Sequence, residues 1–191
     1  MHLLIANNSA AGGAPAGAFE SIASITATGG ETSLSFTSIP GTYQHLQIRG
    51  IARTLRALTG TDTMFITLNS DTGSNYSRHR LTGDGSTAAA GGAASSTSLA
   101  IINGATVMDS STANIFAANI IDIHDYASTS KNTTMRAFSG GNGNTTTNEF
   151  VMGLYSGGYF NTSAITSISL ENSFGFKAGS TFALYGIKGA A

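Results

Sequence analysis

The sequence predicts an all-β protein: a single β-sandwich, jelly-roll-like, with an extended N-terminal arm. Three observations predict it. Short runs alternate apolar and polar residues with period two, the pattern of half-buried strands. Clusters of Gly, Asn, Asp and Ser separate those runs at fairly even spacing, as turns do. Helical periodicity is almost absent.

The arm comes first. Residues 6–18, "ANNSAAGGAPAGA", are small, Gly-rich and uncharged. That composition suits an extended tether, with a first strand of the main sheet as the other reading. Leu3, Leu4 and Ile5 ahead of it form an apolar plug, which makes them the expected partner-contact residues. The chain therefore divides into an arm over 1–18 and a sandwich domain over 19–191.

The strands follow in order. In "TSLSFTSI", Leu34 and Phe36 alternate with hydroxyl residues. In "YQHLQIRGI", Leu46 and Ile48 oppose His45, Gln47 and Arg49. Met64, Ile66 and Leu68 share a face of the next run, and Phe150, Met152 and Leu154 share a face of a later one. Near the end come Ile168 with Leu170, then Phe182 with Leu184, whose strand carries Tyr185 and Ile187 on its other side and reads as buried on both. Leu46, Ile48, Ile66, Leu68, Ile168, Leu170, Phe182 and Leu184 are the expected core. Residues 112–126, "TANIFAANIIDIHDY", have mixed phase but are rich in β-branched residues and read as a strand. The low-complexity stretch 86–98, "STAAAGGAASSTS", reads as a long protruding loop, and 51–60 as the one place for a helical turn.

Composition limits function. Charged residues make up 10% of the chain, against about 25% in an average soluble domain. The net charge is −1, so no nucleic-acid partner is expected; Arg49, Arg53 and Arg56 are the nearest approach to a basic patch. There are no cysteines, hence no disulfide and no thiolate metal site. No run approaches the ~20 apolar residues of a membrane helix, and the first residues lack the basic region of a signal peptide. Neither a membrane partner nor ordinary secretion is expected.

Chemistry is equally sparse. Asp122 and His124 fall on one face of a strand, where a carboxylate can orient an imidazole. No nucleophile motif completes a triad, so the expectation is a structural His–Asp hydrogen bond at a strand end. Arg78 and Arg80 share a face opposite His79, as on a solvated or subunit-facing strand. The Gly-rich stretches match no phosphate-loop pattern. No enzymatic activity, cofactor or metal is expected.

Four blocks in order carry a resemblance. They are "FESIASITATGGETSLSFTSIPGTYQHLQIRGIART" (19–54), "FITLNSDTGSNYSRHRLTGDGS" (65–86), "SSTANIFAANIIDIHDYASTSKNTT" (110–134) and "TSAITSISLENSFGFKAGSTFALYGIKG" (162–189). Together they resemble a family of tailed-bacteriophage virion structural proteins. Ser70 departs from the Gly more usual there, and "GGYF" (157–160) from an apolar strand end. The resemblance implies a β-sandwich of the virion, made in the host cytoplasm, with no catalytic residues to carry over. The expected role is a capsid decoration, or cement, protein on the outer capsid surface, bridging capsomers, with the major capsid protein and itself as partners, the latter as a homotrimer. The alternative is a tail-tip or tail-fibre module binding host-surface carbohydrate, using loops 86–98 and 140–148 and exposed Tyr126, Tyr155 and Tyr159.

Overall fold

The structure is a computed structural model and describes residues 17–144 and 150–189. Leu3, Leu4, Ile5 and nearly all of the expected arm lie outside the described residues. Twelve strands form and no helix is present among the described residues. They are β1 (Phe19–Thr26), β2 (Ser33–Phe36), β3 (His45–Ala52), β4 (Thr61–Leu68), β5 (Tyr76–Gly83) and β6 (Ala88–Ser96). The rest are β7 (Leu99–Val107), β8 (Ala117–His124), β9 (Thr133–Asn142), β10 (Phe150–Tyr159), β11 (Ile168–Glu171) and β12 (Thr181–Ile187).

The strands make two antiparallel sheets packed face to face, a β-sandwich. One has eight strands in the order β1-β12-β3-β8-β9-β10-β5-β6, the other four in the order β2-β11-β4-β7. From β1 to β4 the chain changes sheet at every step, and it does so again from β7 to β8 and from β11 to β12. Two hairpins break that alternation. β5–β6 sits between β4 and β7, β9–β10 between β8 and β11, and both add to the larger sheet.

The core lies where the period-two runs place it. Leu46, Ile48, Ile66, Leu68, Ile168, Leu170, Phe182 and Leu184 are all fully buried. Phe176 meets Phe182 edge to face at 5.8 Å between centroids. On β10 the inner face alternates Gly153, Tyr155, Gly157 and Tyr159. A Cβ at Gly157 would stand 2.4 Å from Leu99 Cδ2, so the missing side chain is the space that β7's Leu99 fills. Met152 and Leu154 do share a face, as expected, but it is the outer one. The outward side of β12 is half-buried, not buried.

Three further expectations are corrected. Residues 51–60 contain no helical turn: β3 runs to Ala52, and Arg53 and Thr54 then bridge to Val107 and Phe176. Residues 86–98 are not a protruding loop. They hold β6, paired along β5 after a turn in which Asp84 Oδ1 accepts from the Ser86 and Thr87 N–H groups at 2.9 and 2.7 Å. A ladder needs only backbone groups, so small side chains hide a strand without preventing one. Within 112–126, only Ala117–His124 is strand, with Ala117, Asn119, Ile121 and Ile123 inward and Ile120 outward. Ser70, where the resembling family more often carries Gly, sits at φ 55°, a left-handed conformation that Gly adopts without steric cost.

The residues between β7 and β8 are held by a charge. Arg53 is 2% exposed. Its Nη1 donates to the carbonyls of Thr112 and Ile115 at 2.7 and 2.9 Å, its Nη2 to those of Asp109 and Ser111 at 2.8 Å each. Its Nε lies 3.7 Å from the Asp109 carboxylate, which also pairs with Lys177. The Ser180 hydroxyl accepts from the Arg53 N–H and donates to the Arg53 carbonyl, both at 3.0 Å.

Two predictions follow from this packing. Phe182→Ala removes a ring from the centre of the core and should cost about 3–5 kcal/mol in urea unfolding. Arg53→Met should cost about 3 kcal/mol or more, since it removes the donors of four carbonyls at once, that of Ser111 buried and the other three partly so. Arg53→Lys should recover little of it, because an ammonium has no planar fork to span four acceptors. Near-full recovery by lysine would show that charge, not the fork, holds the segment.

Candidate functional site

The two inserted hairpins double the width of one sheet. Their inner face packs on β7 of the other sheet, through Leu99 below Gly157 and through Tyr155, whose hydroxyl donates to the Asn103 carbonyl at 2.7 Å. Their outer face has nothing over it among the described residues. There the pairing register sets four large apolar side chains directly opposite one another. Leu81 of β5 faces Leu154 of β10, Leu154 faces Phe138 of β9, and Phe138 faces Ile120 of β8. They are 55%, 57%, 45% and 41% exposed. With strands ~4.8 Å apart, the row is about 14 Å long. Met152, also well exposed, stands two residues from Leu154 on the same face.

A polar row runs beside it. Gln47, Asp122, Arg136, Ser156 and His79 are opposite one another in register across β3, β8, β9, β10 and β5. Asp122 accepts from Gln47 Nε2 at 2.7 Å and from Arg136 Nε at 3.1 Å, and Gln47 in turn accepts from Arg49 Nε at 2.6 Å. Arg136 is mostly in water, so its ion pair adds little stability. The two rows border an open groove of about 650 Å³. Single exposed apolar residues are ordinary on a protein surface; a contiguous row of them marks a contact site.

Asp122 and His124 do share a face, but the hydrogen bond expected between them is not formed. Asp122 is taken by Gln47 and Arg136. His124 instead packs edge-on against His45, with ring centroids 5.0 Å apart, and the Asp125 N–H donates to His45 Nδ1 at 3.0 Å. Lys131 holds the Asp125 carboxyl below the usual range by a hydrogen bond of 2.8 Å. Partial burial, then the neighbouring His45 and Arg136, lower the His124 pKa. Among the described residues no group of three or more His, Cys, Asp or Glu is placed to hold a metal ion.

Other sequence candidates disperse. The three arginines do not share a face. Arg53 is buried, Arg56 pairs with Asp62 at 3.1 Å and stacks over Phe174, and Arg49 lies on the outer face. The tyrosines expected to be exposed are core residues. Tyr126, Tyr155 and Tyr159 are 0%, 3% and 1% exposed, and each hydroxyl has a partner. Tyr126 donates to the Pro40 carbonyl, and Tyr159 to Asp71 at 2.9 Å while stacking on Tyr76. The apolar row was not foreseen. Its signal is present in "MRAFSG" and "EFVMGLYS", which carry a second set of apolar residues out of phase with the buried ones.

The depressed His124 pKa gives a pH dependence with a definite sign. The unfolded chain takes up a proton near pH ~6.5 while the folded chain resists it. The stability of the neutral form is thus fully present above that pH and is lost as pH falls toward the lower, folded value. The melting temperature of the wild-type chain should drop more between about pH 7.5 and 5 than that of His124→Gln. Equal drops would show that His124 is not the titrating group.

Comparison of the chain with family models, curated proteins and solved structures finds no match.

Proposed function

We propose that the protein is a structural component of a tailed-phage particle: a capsid decoration protein that binds the outer capsid surface and stabilises the head by bridging capsomers. The observation that carries this reading is the exposed apolar row that runs from β8 across the inserted strands β9, β10 and β5. Such a row is a cost in water and provides no reactive group, so its use is contact with protein. A weak contact repeated by symmetry over a shell sums to a large stabilisation.

Two further features support the reading. Setting the inserted hairpins aside, the chain places β1, β12, β3 and β8 in one sheet and β2, β11, β4 and β7 in the other. That order matches an eight-stranded jelly roll, an architecture used by viral capsid and lectin domains. The low charge also suits many copies crowded together, since like charges at neighbouring sites would repel. In this reading Leu3, Leu4 and Ile5 meet the major capsid protein.

The carbohydrate-binding alternative uses exposed tyrosines and the loops 86–98 and 140–148. The tyrosines are buried and 86–98 is largely strand, while 145–148 lie outside the described residues.

Copy number tests the proposal. Densitometry of purified particles should find hundreds of copies of the chain per particle. Fewer than about twenty, as the low-fold symmetry of a tail implies, would place the protein elsewhere on the particle. Absence from the particle would overturn the reading altogether.

A further inference from the structure

From the outer face of the widened sheet we infer that its occupant is a second copy of this chain, packed face to face about a two-fold axis that runs along the strands between β9 and β10. The inference rests on reading that face as a protein-contact surface, not on where in a particle the protein sits. Its support is the pattern of side chains across three adjacent rows.

A two-fold along the strand direction keeps each row opposite its own counterpart and reverses the strand order. β10 then lies over β9 of the second copy, and β5 over β8. In the apolar row, Leu154 meets Phe138 and Leu81 meets Ile120. In the polar row, His79 comes over Asp122 and Ser156 over Arg136. Asp122 keeps free lone pairs after its bonds to Gln47 and Arg136, so it can accept from an imidazole N–H. In the third row, the register across β5, β10, β9 and β8 is Gly83, Met152, Gly140, Ala118. The long Met152 side chain therefore comes over Gly140, and Gly83 over Ala118. The longest outward side chain of that row thus meets a glycine, the apolar row meets apolar groups only, and the acid meets a donor.

The other face-to-face two-fold, with its axis along the rows, fails on charge. It lays Asp122 and Arg136 over the row of Ala118, Gly140 and Met152, desolvating an ion pair against apolar groups. Packed sheets cross at about 30°, so the contacts nearest the axis (Leu154, Phe138, Met152 and Gly140) are the closest in the pair. Net charge does not oppose the pairing, since each copy carries only −1.

The test is mass measurement in solution on the full chain, by light scattering after size-exclusion at about 100 μM, well above the micromolar range of a modest interface. The expected mass is twice the 19.4 kDa of one chain. Leu154→Asp should weaken the pair by about 100-fold, as loss of a central apolar contact does, with unchanged circular dichroism. Gly140→Leu is the sharper variant. Within one chain the nearest atom to a Cβ at that position is 3.7 Å away, an ordinary contact, so the fold accepts a side chain there. In the pair, the new side chain takes the space of the second copy's Met152, and dimerisation should weaken by about tenfold or more even though the face has become more apolar. A monomer at this concentration, a trimer, or a tighter dimer for Gly140→Leu would each overturn the inference. None of these results bears on copy number in particles, so the two proposals fail separately.

Discussion

The guanidinium of Arg53 is the contact on which the sandwich's closure depends. The chain leaves β7 in the small sheet and must cross to β8 in the large one. A crossing of that kind turns several carbonyls inward, where no ladder can serve them. Arg53, placed just after β3, supplies four N–H···O contacts to that crossing from one rigid group. The same residue joins the two sheets again through its backbone, by its bridge to Val107 and its paired bonds with Ser180. A buried charge is costly unless its hydrogen bonds are satisfied, and here four of its donor contacts end on backbone oxygens. At the rim the Asp109 carboxylate supplies the opposing charge, which Arg53 shares with Lys177.

How much of this could be read from residues alone depended on which side chains carry the signal. Runs with one clean apolar phase, such as "LQI" in β3 or "FAL" in β12, placed their core residues correctly, because a sheet with one dry face forces the period. Strand β6 was invisible, since Ala, Gly and Ser give no contrast between faces. The tyrosines misled for the opposite reason: their hydroxyls read as wet, yet each found an acceptor inside. Arg53 was counted with Arg49 and Arg56 as surface charge, and nothing in "RGIARTLR" says which of the three turns inward. The outer apolar row was hidden because β9 and β10 carry apolar residues on both phases. Only pairing register separates Phe138 and Leu154, which face out, from Met135 and Tyr155, which face in.

The inserted hairpins divide the protein into two kinds of surface. Along β2 and β11 the outer face is largely hydroxylic, with Ser35 and Ser169 bonded across them at 2.8 Å. The inserted strands reverse the outer pattern and carry aliphatic and aromatic side chains into solvent. The other eight strands are paired in unbroken order in each sheet, with the inserted ones added at one edge, so what those present can vary without changing that order. That is the logic by which binding surfaces are grafted onto rigid folds.

Strand order also has a consequence for how the chain reaches this state. β12 lies between β1 and β3, so β1 has no neighbour in the large sheet until the C-terminal end of the described chain is available. Thr26 and Thr181, bonded side chain to side chain, are 155 residues apart. The cost of closing such a loop is paid before the contacts that reward it, which makes folding slow. The β5–β6 and β9–β10 hairpins, by contrast, close locally and can form while synthesis continues. Their exposed apolar faces are then present on the ribosome before the core exists to anchor them. During that interval the nascent chain is at its most vulnerable to aggregation, and chaperone demand should be set by the delay between β10 and β12 rather than by the stability of the finished sandwich.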